Sequence, residues 1–492
     1  MNGFLIHPWD LLDEGAISVY DVLHELGFST VYVGINSIAE KHPPFPVKAK
    51  LTHNTRRSAH ISEKGTYYFK FSPEKYNKMN IPLQKTIAPY ITDRDVLEEA
   101  LKYKKDFSMN VYAWVRLFTN DYLAENCPEY AVSNILGERN EQWICFENPI
   151  IKDFLIELIK DICTRYAIDG ILLDCTQYVY PYINLLWLHR GFSCFCEHCQ
   201  IKMREFGINE EVLRLELMEL SMKSKTFTKE QLVKLTQTTD VDIKSFFYSK
   251  KEIYRWMYFK FTSLAKFIGE IHTIIKANSQ ELGVALSSPR SSWMVGQSYK
   301  MISNVCDWIM PMLYRRIWGY HALRSIDELK KSVVNTTLRE KAGKIYKYLA
   351  DAYFAFNGFL GPLKEYEMRK GIEQSVITSE NDEVIRALKN EKSKDQRGNI
   401  SQRIRYFLEN PDQISERFRE FTFPAPKTVP IYPSIELWDP ISKDPTPKRS
   451  VASLDALLKS NHDGIIFQSY GWAPMQNIYA VSDYLKKGGS ND

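Results

Sequence analysis

Residues 149–174 read PIIKDFLIELIKDICTRYAIDGILLD. Residues 149–166 carry their apolar side chains at helical spacing, whereas "IDGILLD" (168–174) is a short, almost unbroken apolar run that stops at Asp174. Such a run suits a strand buried on both faces, as in a parallel sheet covered by helices. Only "RYAIDG" (165–170) separates the helical pattern from the strand. A helix that returns so directly into a buried strand is half of a βα repeat.

Working outward, the same alternation recurs. Candidate strands lie at 3–7, 29–36, 109–117, 282–288, 306–314, 429–436 and 463–470, which with 168–174 makes eight. Helical periodicity occupies 19–27, 93–106 and 254–278. Eight strands alternating with helices predict an α/β chain folded as a (β/α)8 TIM barrel, with a doubly wound open sheet as the alternative. The segments after four strands are long: 37–92, 118–148, 175–253 and 315–428. In a barrel all of these emerge at the C-terminal face of the strands, where catalysis sits. The expected organisation is therefore one decorated barrel over 1–492. It carries an insertion at 175–253 after strand four and a mainly helical one at 315–428 between strands six and seven. The charged tract 379–399 reads as a solvated helix and loop.

Apolar residues make up 44% of the chain and charged residues 25%, with a formal net charge of +4. This is an ordinary globular composition, and the small charge gives no reason to expect nucleic acid as a partner. No run of 18 apolar residues suggests a membrane helix, and the N-terminus lacks a basic signal-peptide region, so a cytoplasmic protein is expected. Nothing in the sequence excludes a homo-oligomer. Aromatics reach 13%, core material that also suits sugar faces.

In a reducing compartment clustered cysteines read as metal ligands before disulfides. Cys194, Cys196 and Cys199 form C-x-C-x-x-C in "SCFCEHC" (193–199). Three thiolates at that spacing can fold around one soft tetrahedral ion, with the fourth ligand open among Cys145, Cys127, His198 and His189.

Asp174 ends its strand at what a barrel makes the floor of the cleft. Glycoside hydrolysis needs a second carboxyl group. The ends of strands five and six carry none. Strand seven ends "YPSIELWDP", giving Glu436 with Asp439 close behind, and Asp10 follows strand one. Glu436 is the best partner, because it ends its strand as Asp174 does. His7, Asn36, Arg116, Tyr178, Tyr314, Gln468, Tyr470 and Trp472 lie at or just beyond strand ends and are the substrate-binding candidates. Arg116 either meets substrate or braces Asp174 through a bidentate pair, and Trp472 is the candidate stacking platform. Arg290, Arg315 and Arg316 would favour an acidic sugar if they face the cleft.

"WICFENPIIKDF" (143–154), followed after the next strand by "CFCEHC", resembles the zinc-binding arrangement of the family-42 glycoside hydrolases, the β-galactosidase group. That resemblance implies a structural zinc on Cys145, Cys194, Cys196 and Cys199, and an acid and a nucleophile after strands four and seven. Leu173-Asp174 stands where that family has Asn-Glu, so β-galactosidase specificity is not implied. The pattern "DGI-x-x-D…Y-x-x-P" is more similar to the hypothetical glycoside hydrolase-like barrels. The expectation is a glycosidase acting on a carbohydrate through Asp174 and Glu436, in either assignment of roles. The alternatives are a catalytically inactive carbohydrate-binding barrel and a barrel hydrolase or lyase on a non-sugar substrate.

Overall fold

The computed structural model describes residues 2–39, 50–58, 64–76, 79, 81–91, 94–179, 191–225, 250–287, 292–313, 429–438, 446–458 and 462–488. The expected segment 315–428, with the tract 379–399, lies outside them, as do Tyr314, Arg290, Arg315, Arg316, Asp439 and His189.

Eight strands form one sheet: β1 (Asn2–Ile6), β2 (Thr30–Gly34), β3 (Asn110–Arg116), β4 (Gly170–Asp174), β5 (Glu281–Leu286), β6 (Trp308–Pro311), β7 (Ser434–Glu436) and β8 (Ile465–Gln468). Their order is β6-β5-β4-β3-β2-β1-β8-β7, with every ladder parallel. Parallel bridges Ile309↔Ile431 and Met312↔Ser434 close the remaining side. The fold is the nearly closed (β/α)8 barrel that the alternation predicts. The seventh strand is shorter than its apolar run, because Pro430 and Pro433 have no N–H to give to a ladder.

Helices cover the outside. α1 (Pro8–Glu14) and α2 (Ala16–Glu25) follow β1, and α3 (Val96–Lys102) precedes β3. α4 (Pro149–Arg165) precedes β4, and α7 (Lys251–Ala277) precedes β5. α8 (Pro447–Leu458) and α9 (Met475–Lys486) flank β8. The insertion after β4 contributes α5 (Glu197–Glu205) and α6 (Glu210–Lys225). α4 starts where it does because the Asn148 side chain accepts from the Ile150 and Ile151 N–H groups and Pro149 opens the first turn.

Alternation along each strand sorts the core into two. Phe4, Ile6, Val31, Val33, Val111, Val115, Ile171 and Leu173 join the large outer core against the helices. Leu5, Tyr32, Tyr112, Trp114, Leu172, Ala285, Trp308, Met310 and Ile466 fill the barrel. The Tyr32 and Tyr112 rings lie 5.2 Å apart, and Trp308 meets each edge-on at 5.7 Å. Trp308 fits only because β5 has glycine opposite it. A Cβ on Gly283 would sit 2.2 Å from the indole. The barrel interior is thus an aromatic plug, above which Arg116, Asp174, Glu436 and Gln468 stand at the C-terminal ends of the strands.

Candidate active site and metal site

The strand registers assemble the mouth. Arg116 pairs with Asp174 across β3 and β4, and Gln468 pairs with Glu436 across β8 and β7. These four residues are in phase with the interior residues Trp114, Leu172 and Ile466, so they extend inward at the carboxyl ends of their strands. The structure brings Asp174 and Glu436 to one rim from sequence positions far apart.

Asp174 is held on both oxygens by N–H donors. Trp114 Nε1 donates to Oδ2 at 2.9 Å, and the Cys175 N–H donates to Oδ1 at 2.7 Å. The second bond comes from a tight turn: Cys175 has φ 49°, in the left-handed region that non-glycine residues seldom enter. Arg116 is not the bidentate brace of Asp174 that the sequence offered. Its Nη1 donates to the Asn36 carbonyl at 2.7 Å, and its guanidinium lies 4.1 Å from the Trp114 ring centroid. The brace is Trp114, which the sequence left as an interior strand residue. Asn36 is buried, and its amide exchanges two 3.0 Å bonds with the Arg116 backbone, so it fixes β3.

Across the mouth, β1 and β8 end in an aromatic wall. His7 is stacked on Trp9 at 4.5 Å and lies 5.4 Å from Trp114 and 5.1 Å from Trp472. Trp472 meets Trp438 edge-on at 4.9 Å and is only 6% exposed. Burial, and then the charge of Arg116, hold the His7 imidazole well below its ordinary pKa, so it is neutral. Its Nε2 lies 3.5 Å from Ser469 Oγ, and Nδ1 has no hydrogen-bond partner among the described residues. The Gln468 Oε1 acceptor likewise has none.

Beneath this wall Asp10 accepts the His7 N–H at 2.8 Å and abuts Gly471, where a Cβ would meet the carboxyl oxygen at 2.3 Å. One buried carboxyl thus ties the end of β1 to the turn that carries Trp472. Burial, then the neighbouring Glu14, push Asp10 well above the usual carboxylate range. Glu14 itself is pushed up to about 7 by burial and by Asp13. The sequence offered Asp10 after strand one only as a rival to Glu436 and did not single out Glu14, although the two stand at helical spacing.

The other candidates divide. Tyr470 packs outward against His53 at 4.3 Å and Phe4 at 6.1 Å. Tyr178 packs edge-on against Phe146 at 5.5 Å, on the side of the cysteine cluster, and burial, then Glu147, push its hydroxyl well above the ordinary tyrosine range. A further buried ionisable group escaped the sequence reading. Lys260 on α7 donates to the Met294 carbonyl at 3.2 Å and sits 4.0 Å from the Trp256 centroid, and burial brings its pKa down to about 7.

The second constellation is the cysteine cluster. Cys145 lies just before α4, Cys194 and Cys196 just before α5, and Cys199 in its first turn. Cys145 Sγ is 3.5 Å from Cys196 and Cys199 and 3.8 Å from Cys194, and all four sulfurs lie within 4.8 Å of one another. A tetrahedral ion with metal–sulfur bonds of about 2.3 Å places its sulfurs roughly 3.8 Å apart. The four thiols therefore fit one metal ion. Cys127 and His198, the other candidates within the described residues, stand outside the set. The cluster brings the segment before α4 together with the insertion after β4, two elements that leave the barrel separately.

No helix among the described residues is long and apolar enough to cross a membrane. No protein-family model matches the chain. No curated protein sequence matches it either. Among solved structures it is similar to the PgaB (BpsB) glycoside hydrolase domain from Bordetella bronchiseptica, at 13% identity and a TM-score of 0.42 over 70% of this chain and 82% of that one. It is also similar to the β-galactosidase from the psychrophilic Marinomonas ef1, at 9% identity and a TM-score of 0.48, over 99% of this chain and 59% of the enzyme. A third likeness is to the α-L-fucosidase isoenzyme 2 from Paenibacillus thiaminolyticus, at 11% identity and a TM-score of 0.34, over 97% and 65% of the two chains.

Proposed function

We propose that this protein is a glycoside hydrolase that cleaves its carbohydrate substrate with Asp174 and Glu436. The observation that carries this reading is the placement of two carboxyl groups, inward and at the carboxyl ends of β4 and β7, around one aromatic mouth. Two-carboxylate chemistry needs one group that protonates the leaving oxygen and one that attacks or activates water. Asp174 accepts N–H bonds on both oxygens, which suits an anionic partner; it is assigned the role of nucleophile or base. Glu436, nearly enclosed beside Gln468, is assigned the proton transfer to the leaving group. The neutral His7 and Gln468 supply hydroxyl contacts.

The metal in this reading is zinc, held by Cys145, Cys194, Cys196 and Cys199. Four thiolates leave no position for water, so the ion is a structural crosslink and takes no part in the chemistry.

The test is turnover of a panel of aryl glycosides by wild type, Asp174→Asn and Glu436→Gln. Each variant is expected to lose about a hundred- to ten-thousandfold in kcat while still binding sugar. Undiminished turnover in either would remove that residue from the mechanism. A wild-type protein that binds sugars and hydrolyses none is a binding barrel instead.

A further inference from the structure

Arg116 is a cation that the fold positions and that no described carboxylate neutralises. Its backbone is clamped on both sides by the Asn36 amide, and its Nη1 is anchored on the Asn36 carbonyl. Its guanidinium carbon lies over the Trp114 ring, whose own N–H goes to Asp174. No carboxylate among the described residues pairs with it, although Asp174 is its partner in the strand register. Asp174 takes neutral N–H donors instead. The remaining guanidinium donors are therefore left at the half-buried floor of the mouth, next to the reacting carboxylate. The charge is felt there, since it helps keep the His7 imidazole neutral.

A half-buried guanidinium without an anion is costly unless a ligand brings one. Its planar fork matches the two oxygens of a carboxylate, and a rigid mounting lowers the entropy of making both bonds. A hydroxyl would satisfy a donor but leave the charge.

We propose, resting on the glycosidase reading above, that Arg116 is a specificity residue and that the sugar bound beside Asp174 carries a carboxylate, as in a uronic acid. The rest of the mouth fits that ligand: a neutral imidazole, an amide and indole rings contact the sugar body, while Arg116 alone meets the acid.

The experiment titrates the full-length protein at pH 7 and low salt with D-glucuronate, D-galacturonate, D-glucose, D-galactose and D-glucose 6-phosphate, by calorimetry and thermal shift. At least one uronate is expected to bind tenfold or more tighter than its neutral counterpart. Arg116→Gln should abolish that preference, and Arg116→Lys should recover only part of it. Should Arg116→Gln fail to fold, the wild-type preference, its weakening by salt and the Lys variant decide. Equal or tighter binding of neutral sugars, preference for the phosphate, no uronate binding, or a preference untouched at Arg116 would each overturn the proposal. The two readings fail separately. An Arg116-dependent uronate preference with turnover indifferent to Asp174 and Glu436 removes only the glycosidase. Hydrolysis of neutral glycosides through those two carboxyls, with uronates ignored, removes only the present inference.

Discussion

The cysteine cluster and the barrel mouth are two constellations of four polar residues each, built in opposite ways. Three of the four thiols come from six consecutive positions, and the fourth lies just before the neighbouring helix α4. In the mouth, Arg116, Asp174, Glu436 and Gln468 come from four strands, and only the registers make them neighbours. In the function proposed above, the first is local chemistry that holds structure, and the second is structure that assembles chemistry. Fastening and reacting should therefore come apart under mutation.

The largest effect is expected where the fastening is cut. Cys199→Ser, or chelation of the metal, should lower the thermal midpoint by at least about 5 °C and abolish stoichiometric metal content. Whatever remains folded should keep its activity per molecule. Elemental analysis beside calorimetry and a per-folded-molecule rate would check this. A rate that falls with metal content at unchanged stability would put the ion in the chemistry and break the contrast.

Next comes the brace. Trp114→Phe keeps the ring under Arg116 and removes the N–H from Asp174. A hydrogen bond to a charged group is worth about 1.5–3 kcal/mol, so kcat should drop roughly ten- to a hundredfold with little change in the melting midpoint. Equal loss of stability and rate would make Trp114 a packing residue only.

The smallest effect probes the wall beneath the mouth. The Glu14 carboxyl titrates near 7 in the folded chain against an ordinary 4.5. Between those values the folded state holds a proton that the unfolded state has lost. The associated stability is whole below about pH 4.5 and drains away as pH rises through 7. Glu14→Gln should therefore melt roughly 1–2 °C above wild type at pH 8 and level with it at pH 4.5. The same difference at both pH values would mean that the substitution acts through packing and not through the proton.

How much of this the sequence disclosed follows from the same contrast. The thiol spacing and the unbroken apolar strands are local patterns, and both were legible in 143–199 before any coordinates. That Asp174 and Glu436 end their strands was legible too. The Trp114 bond to Asp174 was not, because it depends on Trp114 lying opposite Leu172, one step below the acid. The burial of Asp10 was hidden for a similar reason: Gly471, far from α1 in sequence, packs directly against its carboxyl group. The short seventh strand, by contrast, was written in Pro430 and Pro433 and could have been read.

The closure of the barrel also decides what steers its second acid. Between β8 and β7 three consecutive residue pairs run up to Glu436↔Gln468, whereas toward β6 the described residues give two isolated bridges, at Ile431 and Ser434, both below the acid. Glu436 is thus set in register with Gln468 of β8, the strand that also leads into Trp472, so the last ladder pair of the barrel places the acid beside the turn that carries the indole.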